Sequence, residues 1–177
     1  MSKNVYIAGP DLFLPDWPER AARATALCAE HGLEAVLPVP AIVLTGPGVT
    51  EPSDAEAASK VFQDCREAIR TADGIIANLT PFRGSEPDSG TVVECALAYA
   101  MGIPVIGYTS GKAPFLGFGT DTHGRVLAAD GGWMERFGLS HNVMLHGVCI
   151  AIVDNQRTAV SMMTDLLENG IYKFLVE

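Results

Sequence analysis

Hydrophobic residues occur along this chain in short continuous runs, separated by longer segments with helical spacing. The runs that predict buried strands cover residues 4–8, 33–37, 74–79, 103–108 and 148–153. The segments that predict helices cover residues 17–31, 54–72, 89–101 and 155–169, with a further short helix near 133–137. Strands with no polar alternation predict a parallel sheet that is covered on both faces. We therefore expect a single α/β domain over residues 1–177, with a doubly wound, flavodoxin-like five-stranded parallel sheet and helices on both faces.

Two long segments interrupt this alternation. Residues 38–53 contain four prolines, and residues 109–132 are rich in glycine. Irregular segments of this length are uncommon in compact domains and often form lids or binding loops. The pattern does not indicate what either loop does.

Ligands of doubly wound sheets bind outside the carboxyl ends of the strands, near the point where the strand order reverses. Four segments should meet at that edge: residues 9–17, residues 80–88, the start of the helix at 89–101, and the loop after Tyr108. Phe13 and Trp17 follow the first strand's turn. They form either a hydrophobic lid on the first helix or a stacking surface for a flat ligand.

Glu94 is the only charged residue between positions 89 and 111. Burying an ionised carboxylate is costly unless a partner compensates, so Glu94 is either satisfied by nearby backbone donors or held for chemistry. Asp88, in the turn before the same helix, is either an N-cap or a second acid of one pocket. Tyr6 lies on the first strand, and its hydroxyl needs a partner when buried. A hydrogen bond to Glu94 would favour the ionised carboxylate that a nucleophile requires.

The formal net charge of −9 argues against a nucleic-acid groove and disfavours multiply phosphorylated ligands. The four cysteines show no CxxC spacing, which suggests reduced thiols of a cytosolic protein. Pro10 and Asp11 interrupt the first apolar stretch, so we expect no signal peptide. The longest uncharged apolar segment falls short of the roughly 18 residues that a spanning helix needs. We expect a soluble, cytoplasmic protein that binds no membrane.

No sequence feature indicates a cofactor. The glycines near Gly9 do not form GxGxxG, and no P-loop occurs. The histidines lack metal-ligand spacing; they are His31, His123, His141 and His146. We therefore expect neither a nucleotide cofactor nor a metal.

Three segments carry a resemblance to a known family. They are VYIAGPDLF at residues 5–13, ADGIIANLTPFRGSEPDSGTVVECALAYAMG at residues 72–102, and FGLSHNVML at residues 137–145. In this order they resemble the nucleoside 2-deoxyribosyltransferases, and the block NLTPFRGSEPDSGTVVE at residues 78–94 is the most specific part.

The resemblance implies roles for four residues. Glu94 would attack the anomeric carbon of a 2'-deoxyribonucleoside and hold the sugar as an ester until a second base takes it with net retention. Tyr6 would orient Glu94, and Asp88 would contact the substrate. Asn142 would reach the neighbouring subunit's site, which implies a homo-oligomer, a dimer or higher. The residues expected to bind nucleosides and free nucleobases are Gly9, Phe13, Asp64, Asp88, Ser89, Gly90 and Asn142.

One position departs from the family pattern. Many members carry Asn or Asp eight residues before the aspartate that matches Asp73, where it helps to handle the base. This chain has Cys65 there, preceded by Asp64. Either Asp64 substitutes after a local shift, or proton delivery to the base differs.

The implied activity is transfer of 2-deoxyribose between nucleobases through a glycosyl ester on Glu94. Cleavage of an N-glycosidic bond passes through an oxocarbenium-like centre that a carboxylate stabilises and traps. A carboxylate at Asp88 would repel a 5'-phosphate, so nucleosides are expected rather than nucleotides. The alternatives are a nucleoside hydrolase on the same scaffold and a non-catalytic nucleoside-binding sensor.

Overall fold

The computed structural model describes residues 2–38, 54–110, 119–128, 131–135 and 137–169. Its strands are β1 (Lys3–Ala8), β2 (Leu33–Val36), β3 (Gly74–Asn78), β4 (Val105–Tyr108), β5 (Gly119–Thr120), β6 (Val126–Leu127) and β7 (Ala151–Val153). Its helices are a 3-10 helix at Pro10–Phe13 and the α-helices α1 (Trp17–Glu30), α2 (Asp54–Thr71), α3 (Ser89–Ala100), α4 (Val143–Val148) and α5 (Gln156–Asn169). Within the described ranges, no helix combines the length and the apolar character needed to cross a membrane.

Five strands form one parallel sheet in the order β2-β1-β3-β4-β7. The chain moves outward from β1 to β2 and then returns to β3 on the other side of β1. The strand order therefore reverses between β1 and β3, which is where doubly wound sheets bind ligands. The predicted flavodoxin-like α/β fold is confirmed.

The strands are apolar along their whole length because both faces of the sheet are covered. In β1, Val5 and Ile7 pack in the cluster that contains residues of α1 and α5. Tyr6 and Ala8 point to the opposite face and pack with residues of α2 and α3. Since successive side chains of a strand alternate between faces, Tyr6 is directed to the same side as the helix that carries Glu94.

Two predicted elements are wrong in the region after β4. The fifth strand does not begin at residue 148, because Val148 ends helix α4 and the strand covers Ala151–Val153. The apolar run at 148–153 joins the last residue of the helix to the strand, and periodicity alone did not mark the boundary between them. The predicted helix at 133–137 is absent from the described part of that segment, where Trp133 forms an antiparallel bridge to Leu127. The Arg125 guanidinium lies 3.6 Å from the Trp133 ring centroid and holds that side chain against the β5–β6 hairpin.

The two long loops are described only in part. Residues 39–53 of the first lie outside the described residues, as do residues 111–118 and 129–130 of the second. The described part of the second loop contains the antiparallel hairpin of β5 and β6. The glycine content of this loop suggested irregular structure, but part of the loop is a regular hairpin.

Candidate active site

A cavity of about 380 Å³ opens at the carboxyl edge of the sheet, beside the point where the strand order reverses. The segment after β1, the inner face of α2 and the first turns of α3 surround it. Its lining residues are Gly9, Leu12, Phe13, Pro38, Val61, Phe62, Cys65, Arg66, Ile69, Asp88, Ser89, Gly90, Thr91, Val93, Glu94 and Leu97. Most of these are apolar and a few are polar, which is the usual composition of a small-molecule site.

Glu94 meets Tyr6 at the floor of this cavity. The Tyr6 hydroxyl donates a hydrogen bond of 2.6 Å to Glu94 Oε1, although the two residues are 88 positions apart in the sequence. Tyr6 is 0% exposed, so its hydroxyl is fixed by the sheet and not by solvent. The predicted Tyr6–Glu94 hydrogen bond is present in the structure.

The surroundings of Glu94 raise the pKa of its carboxyl group to about 7. Burial is the largest cause because it disfavours the charged form, and the nearby charge of Asp88 adds to the increase. The hydrogen bond from Tyr6 acts in the opposite direction, since it stabilises the carboxylate. Burial, together with the charge of Glu94, raises the pKa of the Tyr6 hydroxyl far above its ordinary value. Tyr6 is therefore a permanent donor, while Glu94 changes between acid and carboxylate near neutral pH.

Asp88 combines the two positions considered from the sequence: it caps helix α3, and it lines the cavity. It is the N-cap of α3, and its Oδ2 accepts hydrogen bonds from the Thr91 amide at 3.0 Å and the Thr91 hydroxyl at 3.1 Å. Among the described residues, none donates a hydrogen bond to its second oxygen, Oδ1. Because Asp88 also lines the cavity, capping leaves one carboxylate oxygen available to a ligand.

Phe13 lines the cavity and contacts two residues outside its lining, Phe82 and Arg83, which the sequence did not single out. Phe13, which is 45% exposed, stacks against Phe82 with ring centroids 5.9 Å apart. The Arg83 guanidinium lies 4.7 Å from the Phe82 centroid and 5.6 Å from the Phe13 centroid. Arg83 has a φ of 54°, a left-handed conformation that is uncommon for a residue with a side chain. The available signal was the position of Phe82 in the loop after β3, which was expected at this edge of the sheet.

Cys65 lines the cavity, whereas Asp64 is absent from its lining. The Asp64 carboxylate accepts a hydrogen bond of 2.6 Å from Lys60, one turn earlier on α2. Cys65 interacts with the Tyr6 hydroxyl, and burial raises the pKa of its thiol. The thiol and the Tyr6–Glu94 pair therefore share one side of the cavity.

Asn142 lies outside the cavity and caps helix α4. Its Oδ1 accepts from the Met144 amide at 2.9 Å, and its Nδ2 donates to Glu135 Oε1 at 3.1 Å. The preceding residue, His141, is 2% exposed and bonds through Nε2 to the Leu79 carbonyl oxygen at 3.1 Å. A carbonyl only accepts, so this nitrogen carries a proton. The contact ties the start of α4 to the end of β3.

Asn142 borders a second, apolar groove of about 520 Å³. Ser89 and Val93 of α3 line both this groove and the cavity. Its other side is formed by α4, where the Met144 side chain is 74% exposed. On the groove side of α3, Val93 is 52% exposed.

Within the described ranges, no three His, Cys, Asp or Glu side chains are grouped so that they could hold a metal ion. The four cysteines are free thiols; Cys28 and Cys95 are buried, whereas Cys65 and Cys149 are partly buried.

The sequence from residue 5 to residue 144 matches the family model for nucleoside 2-deoxyribosyltransferase. The chain belongs to this family, as the sequence motifs indicated. An uncharacterized protein of Schizosaccharomyces pombe is 32% identical over 108 residues, which make up 60% of this chain and 49% of that protein. The chain thus spans about half the length of this curated relative.

Solved structures agree with the family assignment. A 2-desoxiribosyltransferase from Leishmania mexicana superposes with a TM-score of 0.67 at 27% identity, covering 92% of this chain and 97% of that one. The 2-deoxyribosyltransferase of Bacillus psychrosaccharolyticus gives a TM-score of 0.55 at 18% identity, covering 89% and 90% of the two chains. The second likeness shows the fold alone.

Proposed function

We propose that this protein transfers 2-deoxyribose from a 2'-deoxyribonucleoside to a free nucleobase, with Glu94 as the nucleophile. The observation that carries the proposal is the Tyr6–Glu94 hydrogen bond of 2.6 Å at the floor of a mostly apolar cavity. It holds one carboxylate oxygen and leaves the other free to reach C1' of a bound sugar. Family membership over residues 5–144 supports the same activity.

In the first half-reaction, the Glu94 carboxylate attacks C1' while the bond from C1' to the base nitrogen breaks. The base leaves with the bonding electron pair and takes up a proton, and the sugar becomes an ester of Glu94. In the second half-reaction, a nitrogen of another base attacks C1', loses its proton, and releases the Glu94 carboxylate. Two displacements at one carbon give net retention of configuration.

The other cavity residues suit the two parts of the substrate. Phe13 supplies a flat apolar surface for the base at the outer wall. Asp88 Oδ1, with Ser89 and Gly90 beside it at the start of α3, supplies polar contacts for the sugar. A carboxylate at Asp88 would repel a 5'-phosphate, so nucleosides are favoured over nucleoside monophosphates.

The base-handling position is assigned to Cys65 and not to Asp64. Cys65 faces the cavity, whereas Asp64 is paired with Lys60. A neutral thiol is a weak donor and supplies less proton-donating power than a carboxylic acid. We therefore expect the leaving base to take its proton chiefly from water.

We further propose that the active unit is a homo-oligomer, a dimer or higher, in which Asn142 completes the neighbouring subunit's site. The groove between α3 and α4 supports this, because it is apolar, open and continuous with the cavity through Ser89 and Val93. A second copy seated on this groove would cover Met144 and bring its own groove edge toward the cavity.

Transfer and hydrolysis are separated by one time course. Deoxyinosine is incubated with the protein, with and without free adenine, and the products are resolved by chromatography. Formation of deoxyadenosine supports transfer. Release of hypoxanthine alone, at a rate that adenine does not change, rejects transfer in favour of a nucleoside hydrolase. Binding of deoxyinosine without any product would indicate a non-catalytic sensor.

A further inference from the structure

The Asp11 carboxylate accepts hydrogen bonds from two side chains, Asn78 at 67 positions away and Arg20 at nine positions away. Asn78 Nδ2 donates to Asp11 Oδ2 at 2.8 Å, and Arg20 Nη1 donates to Asp11 Oδ1 at 3.0 Å. Both carboxylate oxygens are therefore engaged. Asp11 belongs to the 3-10 helix Pro10–Phe13, which follows β1 and places Phe13 in the cavity lining. We call this segment the Pro10–Phe13 wall.

Asn78 joins this wall to the loop that follows β3. It is the last residue of β3, it is 9% exposed, and its Oδ1 accepts a hydrogen bond of 3.1 Å from the Thr80 amide. One buried side chain thus fixes the exit from β3 and the exit from β1 relative to each other. Asn78 and Arg20 do not line the cavity, and neither does Asp11.

Close contacts at both ends of the wall also restrict its position. At the inner end, a Cβ on Gly9 would lie 2.8 Å from Asn78 Cβ and 3.2 Å from Asp11 Oδ2. The Gly9 backbone therefore lies closer to Asn78 than any residue with a side chain could. At the outer end, Phe13 stacks on Phe82 at 5.9 Å. Asp11 lies between these two points and is fixed by charge-assisted hydrogen bonds, which are stronger than neutral ones.

We propose that Asp11, Asn78 and Arg20 are positioning residues, which hold the Pro10–Phe13 wall where Phe13 meets the substrate's base. This rests on the proposed function. The three residues touch neither Glu94 nor Tyr6 through any hydrogen bond described in the chain. Loosening the wall weakens binding of the nucleoside and of the transition state alike, so KM rises while kcat is retained.

The test compares Arg20→Ala and Asn78→Ala with the matched control Asp16→Ala. Asp16 is the other carboxylate on Arg20, at 2.8 Å from Arg20 Nε, and it does not contact Asn78 in the described structure. We expect KM for deoxyinosine to rise roughly tenfold in the first two variants, with kcat within about twofold of wild type. Arg20→Lys should recover part of the loss, and Asp16→Ala should change KM little. Arg20 is partly exposed, so its variants should fold, and the melting temperature of each variant is measured alongside.

Two results would overturn the positioning role. One is a fall in kcat at unchanged KM, and the other is a KM in Arg20→Ala equal to that in Asp16→Ala. If the wild type forms no product, the proposed function fails separately, and adenine is then titrated into wild type and Arg20→Ala by calorimetry. Weaker binding in the variant retains the positioning role, whereas equal affinity removes it. Absence of adenine binding to wild type overturns both proposals.

Discussion

The Tyr6 hydroxyl lies 2.6 Å from Glu94 Oε1, which joins the central region of the sheet to the helix over the cavity. Tyr6 is fully buried, and its raised pKa keeps its proton in place. Glu94 is consequently held in one orientation by a donor that does not titrate near neutral pH.

Replacing Glu94 by alanine should lower the rate of deoxyribose transfer by roughly three or more orders of magnitude, because a covalent nucleophile contributes several kcal/mol to lowering the barrier. Deoxyadenosine formation from deoxyinosine and adenine measures the loss. Glu168→Ala, on the exposed face of α5, is the control. Mass spectrometry of protein quenched with a slow fluorinated nucleoside should find the sugar on the Glu94 peptide. Product formation at a near-normal rate by Glu94→Ala would remove the mechanism.

The rate should rise with pH through about 7, since the carboxylate of Glu94 is the reactive form and its pKa is about 7. Tyr6→Phe deletes the hydrogen bond that lowers this pKa. The midpoint of kcat/KM against pH should therefore move to higher pH in the variant, and the rate at neutral pH should fall. A profile with an unchanged midpoint would show that Tyr6 does not set the ionisation of Glu94.

The raised pKa of Glu94 also makes stability depend on pH. Between its ordinary value of 4.5 and about 7, the folded state keeps a proton that the unfolded state has released. The free energy of unfolding should therefore fall as pH rises through this window and level off above it. The fall amounts to about 3 kcal/mol at most, from 1.36 kcal/mol per pKa unit.

Glu94→Gln removes the titrating group and should lose this decrease. Urea unfolding from pH 4.5 to pH 8, at one protein concentration, should show the variant gaining stability relative to wild type as pH rises. Glu168→Gln, an exposed substitution, is the control and should give a constant difference. The same constant difference for Glu94→Gln would mean that folding does not change the pKa of Glu94.

The charge of Asp88 and its capping function can be separated. Asp88→Asn keeps an N-capping oxygen, whereas Asp88→Ala should also lose about 1 kcal/mol of stability. Without the charge, a nucleoside 5'-monophosphate should become a better substrate relative to the nucleoside, as measured by the ratio of their kcat/KM values. The pKa of Glu94 should fall as well, because Asp88 contributes to its increase. An unchanged substrate ratio would show that Asp88 does not discriminate against phosphate.

Asn142→Ala should raise KM for the nucleoside more than it lowers kcat. Asn142→Ser is the matched control for capping, because serine also supplies a capping oxygen. If Asn142 acts in the neighbouring subunit, mixed and refolded Glu94→Ala and Asn142→Ala chains should regain activity. In a randomly mixed dimer, about a quarter of the sites would carry neither substitution. No recovery in chains that form mixed oligomers would place Asn142 outside the neighbouring site.

Local spacing in the sequence was enough to predict a five-stranded parallel sheet and the helices α1, α2, α3 and α5 that cover it. The alternation along β1 separates Tyr6 from Val5 and Ile7, because successive residues of a strand point in opposite directions. The lone charge of Glu94 among neutral residues marked it as a group in need of a partner. Asp88, placed one residue before α3, was readable as a cap from its residue type alone.

Other features depended on contacts between distant parts of the chain. One helical position is a rotation of about 100°, so the placement of α2 decided that Cys65, and not Asp64, lines the cavity. The Asp11–Asn78 bond and the Phe13–Phe82 stack join residues 67 and 69 positions apart. No local pattern encodes such pairs, because each forms only when β1 and β3 lie side by side. For the same reason, the start of β7 was set by packing against β4 and not by its apolar run.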